Sequence, residues 1–210
     1  MALPRDDVFP AAEFEARRKR ARAAMAKQGL DVIVLHSAPN IYYLTGYHTM
    51  NLWDYQCLIF PMEGEPFMVM WQFERGCFEM TAVACGVDYY DTGADYIAAT
   101  KTALERRGLL KGVVGLEDNT RYFTPRLHAK LTAALAPTKT ASCSGLVDLV
   151  RVVKSEAELA LMRRAAKITD DAVEAAYGII RDGITDSEVC ATDRKSTRLN
   201  SSHGYISYAV

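Results

Sequence analysis

The chain has no pair of cysteines at CxxC spacing. Its five cysteines (57, 77, 85, 143 and 190) are odd in number and scattered. That excludes a disulfide framework or a zinc ribbon and reads as a set of reduced thiols, which predicts a cytoplasmic protein. Charge of one sign is also missing. Against 25 Lys and Arg stand 26 Asp and Glu, a net charge of −1, so no basic face is set aside for nucleic acid or an anionic membrane, and neither partner is expected. No apolar run approaches the roughly 18 residues of a membrane helix. The first residues, Met1-Ala-Leu-Pro-Arg-Asp-Asp7, lack a cationic stretch followed by an apolar one, so no signal peptide is expected. GxxxxGK[ST], GxGxxG after a strand, HExxH and GxSxG are all absent. None of the histidines before Thr192 (36, 48 and 128) stands beside a second His or a Cys at metal-ligand spacing.

What is present suits a packed globular chain: half of the 210 residues are hydrophobic and a tenth aromatic. Residues 11–28 predict a helix, with Phe14, Arg18, Ala21 and Met25 on one stripe, the Arg18 stem able to snorkel, and Gly29 at the C-cap. Asp31 to His36 is a short apolar run, as in a strand buried on both faces. Ser37-Ala-Pro-Asn40 turns the chain into Ile41–Gly46. Strands at 56–60 and 66–71 flank a turn at Glu63-Gly-Glu65. A helix over about 73–84, a strand at 87–90, a helix over about 95–107, a strand at 113–117, a helix over about 125–135 opened by Pro125, and a strand at 139–143 follow. Alternating strands and helices predict an α/β layered domain ending near residue 150. Ser155-Glu-Ala-Glu158 then forms a capping box for a helix running to about Arg181, with Leu159, Met162, Ala166, Thr169, Val173, Ala176 and Ile180 as its apolar stripe. Thr185-Asp-Ser-Glu188 is a second capping box.

Most polar candidates have plain structural readings. His36 ends an apolar strand and His128 lies on a helix, and a satisfied structural histidine is the default for each. Asp170 and Asp171 are helical neighbours about 100° apart and cannot share a metal. Glu117-Asp118 follows a strand, where α/β active sites often lie, but no base or Gly-rich loop accompanies it, so a turn or cap role is favoured. Cys57 and Cys143 read as small buried hydrophobes. One segment differs: His48, Trp53, Asp54 and Tyr55 crowd the loop after Gly46. Aromatics with polar handles on a loop suit a recognition surface, and a hydrophobic plug under the loop has equal odds. His48, Trp53 and Tyr55 are the candidate substrate-binding residues. No catalytic and no metal-binding residue is expected in the chain.

From Asp193 the periodicity stops. DRKSTRLNSSHGYISYAV is Ser-rich and resembles a translated sequencing adapter, in frame from Asp193 to His203 and again from Ile206 to Val210. Residues 193–210 are therefore expected to be an artefactual, disordered tail, and the gene to have been cut inside a longer reading frame.

Three elements of the remainder together resemble the amino-terminal part of the creatinase/prolidase/aminopeptidase P family, the pita-bread hydrolases. They are Pro39-Asn-Ile-Tyr-Tyr-Leu-Thr-Gly-Tyr47 after Gly29-Leu-Asp-Val-Ile-Val34; then Val150-Arg-Val-Val-Lys-Ser-Glu-Ala-Glu158; then Arg164-Ala-Ala-Lys-Ile-Thr-Asp-Asp-Ala172 with Gly183-Ile-Thr-Asp-Ser-Glu188. The resemblance implies a three-layer α/β domain with a mixed β-sheet flanked by helices over 1–150, then the first helices of a truncated pita-bread catalytic domain over 151–192. It implies a noncatalytic portion of a Xaa-Pro aminopeptidase- or prolidase-like C–N hydrolase, serving dimerisation and substrate gating. In the parent it implies a homodimer, a small peptide or small amide substrate, and for the metallopeptidases a pair of divalent metals (Mn, Co or Zn) held by residues beyond Thr192. No cofactor is expected in this chain. Creatinase-like recognition of a carboxylate would want a basic residue in the loop, but 47–57 has no Lys or Arg, and Asp54 stands about where it would fall. An ectoine-hydrolase- or creatinase-like amidohydrolase is the alternative parent, and a non-hydrolytic interaction module of the same fold is a further one.

Overall fold

The computed structural model describes residues 9–51 and 53–192, and the adapter-like tail lies outside the described residues. The chain divides into two compact units, with the break between Val153 and Lys154.

In the first unit the elements run α1 (Ala11–Gln28), β1 (Val32–Leu35), α2 (Ala38–Thr45), β2 (Gln56–Pro61), β3 (Phe67–Trp71), a 3₁₀ turn (Gln72–Glu74), α3 (Arg75–Thr81), β4 (Gly86–Tyr90), α4 (Tyr96–Arg106), β5 (Val114–Leu116), α5 (Pro125–Leu135), β6 (Thr140–Ser142) and α6 (Leu146–Val152). The strands form one mixed sheet in the order β4-β3-β2-β1-β5-β6. β2 runs antiparallel to β1 and β3, while β1–β5, β5–β6 and β3–β4 are parallel pairs.

The period of two along each strand divides the core into two layers. Ile33, Leu35, Leu58, Phe60, Met68 and Met70 face one side, where Met25 of α1, Leu44 of α2, Phe78 of α3 and Leu146 of α6 cover them. Val32, Val34, Cys57, Ile59, Phe67 and Val69 face the other, with Leu104 of α4 and Leu131 of α5. All four residues of β1 are buried, which is why the run reads as continuously apolar. At Gly115 a Cβ would lie 2.9 Å from both Ile33 Cγ2 and the Cys143 Cβ, so β5 passes only as glycine.

Two short helices differ from the sequence reading. Ser37–Asn40 is the first turn of α2, with Pro39 near its start, where a missing N–H costs nothing. α6 follows Gly145, whose φ of 81° sets the entry. Arg18 also differs. It does not snorkel: its buried guanidinium donates from Nε to the Leu44 carbonyl (2.9 Å) and from Nη2 to the Val83 carbonyl (2.7 Å). A cation thus sits at the C-terminus of α2, where orphan carbonyls and the helix dipole favour it.

The second unit begins with α7 (Glu156–Gly178), opened by the Ser155–Glu158 capping box, in which both reciprocal bonds are present. Residues 186–192 are helical again, behind the Thr185–Glu188 box. Of the stripe read from the sequence, Met162, Val173 and Ile180 are exposed, Ile180 by 58%. The buried positions of α7 are Ile168 and Ala172, on a second apolar row with Leu161 and Ala165. Ala-rich composition let both rows look alike in the sequence.

Candidate functional site

The strand directions bring one set of ends to a single edge of the sheet. There the chain leaves β1 at His36, enters β2 at Gln56, leaves β3 at Trp71 and leaves β4 at Tyr90. A cleft of about 450 Å³ opens at this edge, bounded also by the start of α4 and by Tyr122 and Leu127 near α5. The carboxyl ends of parallel strands are where α/β folds collect ligands, because loops and helix starts diverge there.

The loop after α2 forms one rim. Gly46 begins it with φ 70°, and a Cβ there would stand 3.0 Å from Phe14 and 3.2 Å from the Thr81 carbonyl, so the position requires glycine. Buried Glu74 fastens the first part of the loop: the Tyr47 hydroxyl donates to Glu74 Oε2 at 3.0 Å and the Thr49 hydroxyl at 2.6 Å. Asn51 ties the second part, donating to Asp54 Oδ2 at 2.8 Å and accepting from the backbone N–H of Trp53 and Asp54.

The three residues singled out in the sequence occupy different places. Trp53 lies on the cleft rim and is 88% exposed. Tyr55 lines the same cleft from deeper in; its ring stacks on Tyr96 (4.6 Å) and its hydroxyl bonds with Thr100 Oγ1 at 3.0 Å. Burial raises its pKa well above the usual tyrosine value. His48 is not on the cleft. Its backbone N–H donates to Thr81 Oγ1 at 3.2 Å, and partial burial lowers its pKa. Among the described residues, Asp54, at the rim, is the one charged residue lining the cleft.

His36 reverses its sequence reading. It is only 3% exposed, its ring stacks on Phe123 at 4.0 Å and meets Tyr55 edge-on at 5.5 Å, and neither ring nitrogen has a hydrogen-bond partner among the described residues. Desolvation lowers its pKa from 6.5 to about 3, so the imidazole is neutral at physiological pH. Gln56 Oε1 is also buried and has no partner among the described residues, while its amide donates to the Asn51 carbonyl at 3.0 Å. Nothing in the sequence distinguishes a satisfied strand-end histidine from this one, since the rings that enclose it come from residues 55 and 123.

Glu117 takes the cap role. Buried at the end of β5, it accepts from the backbone N–H of His36 (2.7 Å) and Ser37 (2.7 Å) and from Asn40 Nδ2 (2.6 Å), clamping the β1–α2 junction. Burial raises its pKa against the pull of those donors. Asp118 accepts from the hydroxyls of Ser142 and Ser144 at 2.6 and 2.7 Å. Among the described residues no three His, Cys, Asp or Glu side chains converge as a metal site. These residues therefore do not fit a metal pair. No helix of the described residues is long and apolar enough to cross a membrane.

A mixed six-stranded sheet flanked by helices, with a loop tied across its strand-end edge, defines an α/β domain. The profile of the creatinase/prolidase N-terminal domain matches residues 17–153, and the chain belongs to that family. It is 30% identical over 195 residues to an ectoine hydrolase of Halomonas elongata, covering 86% of this chain and 48% of that one. It is 27% identical over 183 residues to a creatinase of a Bacillus species, covering 86% and 44%. A Xaa-Pro dipeptidase from Bacillus anthracis shares the fold with a TM-score of 0.69 at 20% identity, over 89% of this chain and 49% of its own. The chain spans about half the length of the curated relatives it matches.

Proposed function

We propose that this chain is the noncatalytic N-terminal portion of a C–N hydrolase of the Xaa-Pro aminopeptidase or prolidase kind, acting in a homodimer to shape and gate a substrate site. The observation that carries the reading is the loop 46–55. It is fastened by Glu74 and Asn51, yet holds Trp53 almost fully in solvent. An indole left in solvent on a loop tied down at its backbone forgoes the burial that its area would gain, as expected of a side chain kept for a partner surface. In this reading the hydrolytic chemistry, with a divalent metal pair (Mn, Co or Zn), belongs to residues beyond those described, and no step is drawn through it. Five cysteines that all stand as free thiols suit a reducing cytoplasm.

A second parent activity is favoured by one observation. A relative at 30% identity over 195 residues hydrolyses ectoine by its name. Ectoine or a small substrate like it then takes the place of a Xaa-Pro peptide. The test is to extend the reading frame downstream, express the product, and assay it on Xaa-Pro dipeptides and on ectoine with Mn²⁺, Co²⁺ or Zn²⁺. Turnover of the dipeptides supports the first reading and turnover of ectoine the second. Turnover of neither contradicts both.

A further inference from the structure

We infer that Glu74 and Thr49 are positioning residues for Trp53. A hydrogen-bond relay starts at the buried Glu74 carboxylate, passes through the Thr49 hydroxyl to Asn51, and sets the backbone from which the indole projects. The inference rests on the reading of Trp53 as a side chain kept for a partner surface. The relay itself lies wholly within the first unit and is tested without any hydrolase activity.

The start of the loop is moored to one stretch of chain, 72–83. The Val83 N–H donates to the Thr45 carbonyl at 2.7 Å and the His48 N–H to Thr81 Oγ1 at 3.2 Å, while the Tyr47 and Thr49 hydroxyls donate to Glu74 Oε2. Past Thr49 the mooring passes to Asn51, and Met50 between them is 78% exposed. Asn51 uses every polar group it has on the loop. Its N–H donates to Thr49 Oγ1 at 2.9 Å, and its carbonyl accepts from Gln56 Nε2 at 3.0 Å. Its Oδ1 accepts from the N–H of Trp53 and of Asp54, both at 3.3 Å, and its Nδ2 donates to Asp54 Oδ2 at 2.8 Å. The Thr49 hydroxyl is therefore the joint: it gives its one proton to Glu74 and takes the Asn51 N–H on a lone pair. Serine would do the same. Valine, of nearly the same shape, would do neither.

The chemistry of Glu74 marks this end of the relay as more than packing. It is 7% exposed, and among the described residues no cation forms an ion pair with it. A buried carboxylate loses hydration that two hydroxyls replace only in part. A turn kept for packing alone would hold glutamine or leucine at lower cost. A charged acceptor has what those lack. Its bonds are roughly twice as strong as neutral ones, and it polarises the Thr49 hydroxyl, which makes that oxygen a better acceptor for the Asn51 N–H. Loss of either bond of the relay then frees Asn51, and with it the backbone of Trp53, while the sheet core is untouched.

The test is amide hydrogen exchange, followed by NMR on the full chain, at the N–H of Asn51, Trp53 and Asp54, with the amides of β1 as internal standard. Thr49→Val should speed exchange at those three at least roughly tenfold, the size of one charge-assisted hydrogen bond removed, with β1 unchanged. Thr49→Ser should restore slow exchange. Glu74→Gln, which keeps the shape and loses the charge, should fall between wild type and Thr49→Val. Kinetics on the extended reading frame then ask whether the relay acts through the indole. Thr49→Val should lower kcat/KM roughly tenfold on its own, but less than about twofold where Trp53 is already alanine. The proposal is overturned if Thr49→Val leaves the three amides unchanged, if Thr49→Ser fails to restore them, or if the losses from Thr49→Val and Trp53→Ala multiply. A parent that turns over neither Xaa-Pro dipeptides nor ectoine contradicts the proposed function instead, and the exchange rates alone then decide the relay.

Discussion

At the scale of single residues, buried polar groups decide the behaviour of the strand-end edge. Glu117 answers three N–H donors at once, two of them backbone. Glu117→Ala takes the acceptor from the backbone N–H of His36 and Ser37 and leaves Asn40 Nδ2 only Asp148 Oδ2 at 3.3 Å, at a cost of about 3–5 kcal/mol, which a urea midpoint would register. A change below about 1 kcal/mol would mean that water replaces the carboxylate. His36 gives the opposite case. Its folded pKa of about 3 lies below the ordinary 6.5, so between those values the unfolded chain binds the extra proton. Its contribution to stability is therefore complete above about pH 6.5 and is lost as the pH falls toward 3, with a limiting slope near 1.4 kcal/mol per pH unit. His36→Phe should remove that slope and leave stability at neutral pH equal or higher, since no hydrogen bond is lost. Parallel acid unfolding of the two proteins, followed by urea midpoints across the pH range, would contradict the buried neutral state.

Elements were legible where period and punctuation agreed. The β2–β3 hairpin, the two-faced β1, the Pro125 start of α5 and the Ser155 capping box of α7 all carry local signals that tertiary packing did not override. α2 was not, because Pro39 marks a turn and a helix start equally well, and only packing of Ile41 and Leu44 on the sheet chooses between them. α6, at seven residues, is too short for its period to speak. The candidate site was legible in part. Trp53 and Tyr55 stand out as loop aromatics, but Trp71 and Tyr90 reach the cleft through the β3–β4 pairing and Tyr96 through the packing of α4, which no local pattern encodes. On α7 and just past its end, the row with Met162, Val173 and Ile180 is exposed, Val173 by 44%. At about 25 cal/mol per Å², a few hundred Å² of such surface is worth several kcal/mol of association. Light scattering should find residues 1–192 self-associating at concentrations where residues 1–153 stay monodisperse. Equal monodispersity of both would show that the row needs no cover.

For the whole molecule, the account is a division of labour. The described residues build a sheet domain, a fastened loop and a cleft, and the chain spans about half the length of its curated relatives. The central claim is that Trp53 is held in solvent to meet a substrate site it does not itself contain. The most direct measurement is steady-state kinetics on the product of the extended reading frame, wild type beside Trp53→Ala, with thermal unfolding of each as control. An 88%-exposed side chain should cost less than about 0.5 kcal/mol of stability when truncated, whereas a buried aromatic costs about 3–5. The account predicts that kcat/KM falls at least roughly tenfold, the loss of one aromatic wall contact, while the melting temperature holds. An unchanged kcat/KM, or a fall in stability of the size of a core aromatic, would contradict it.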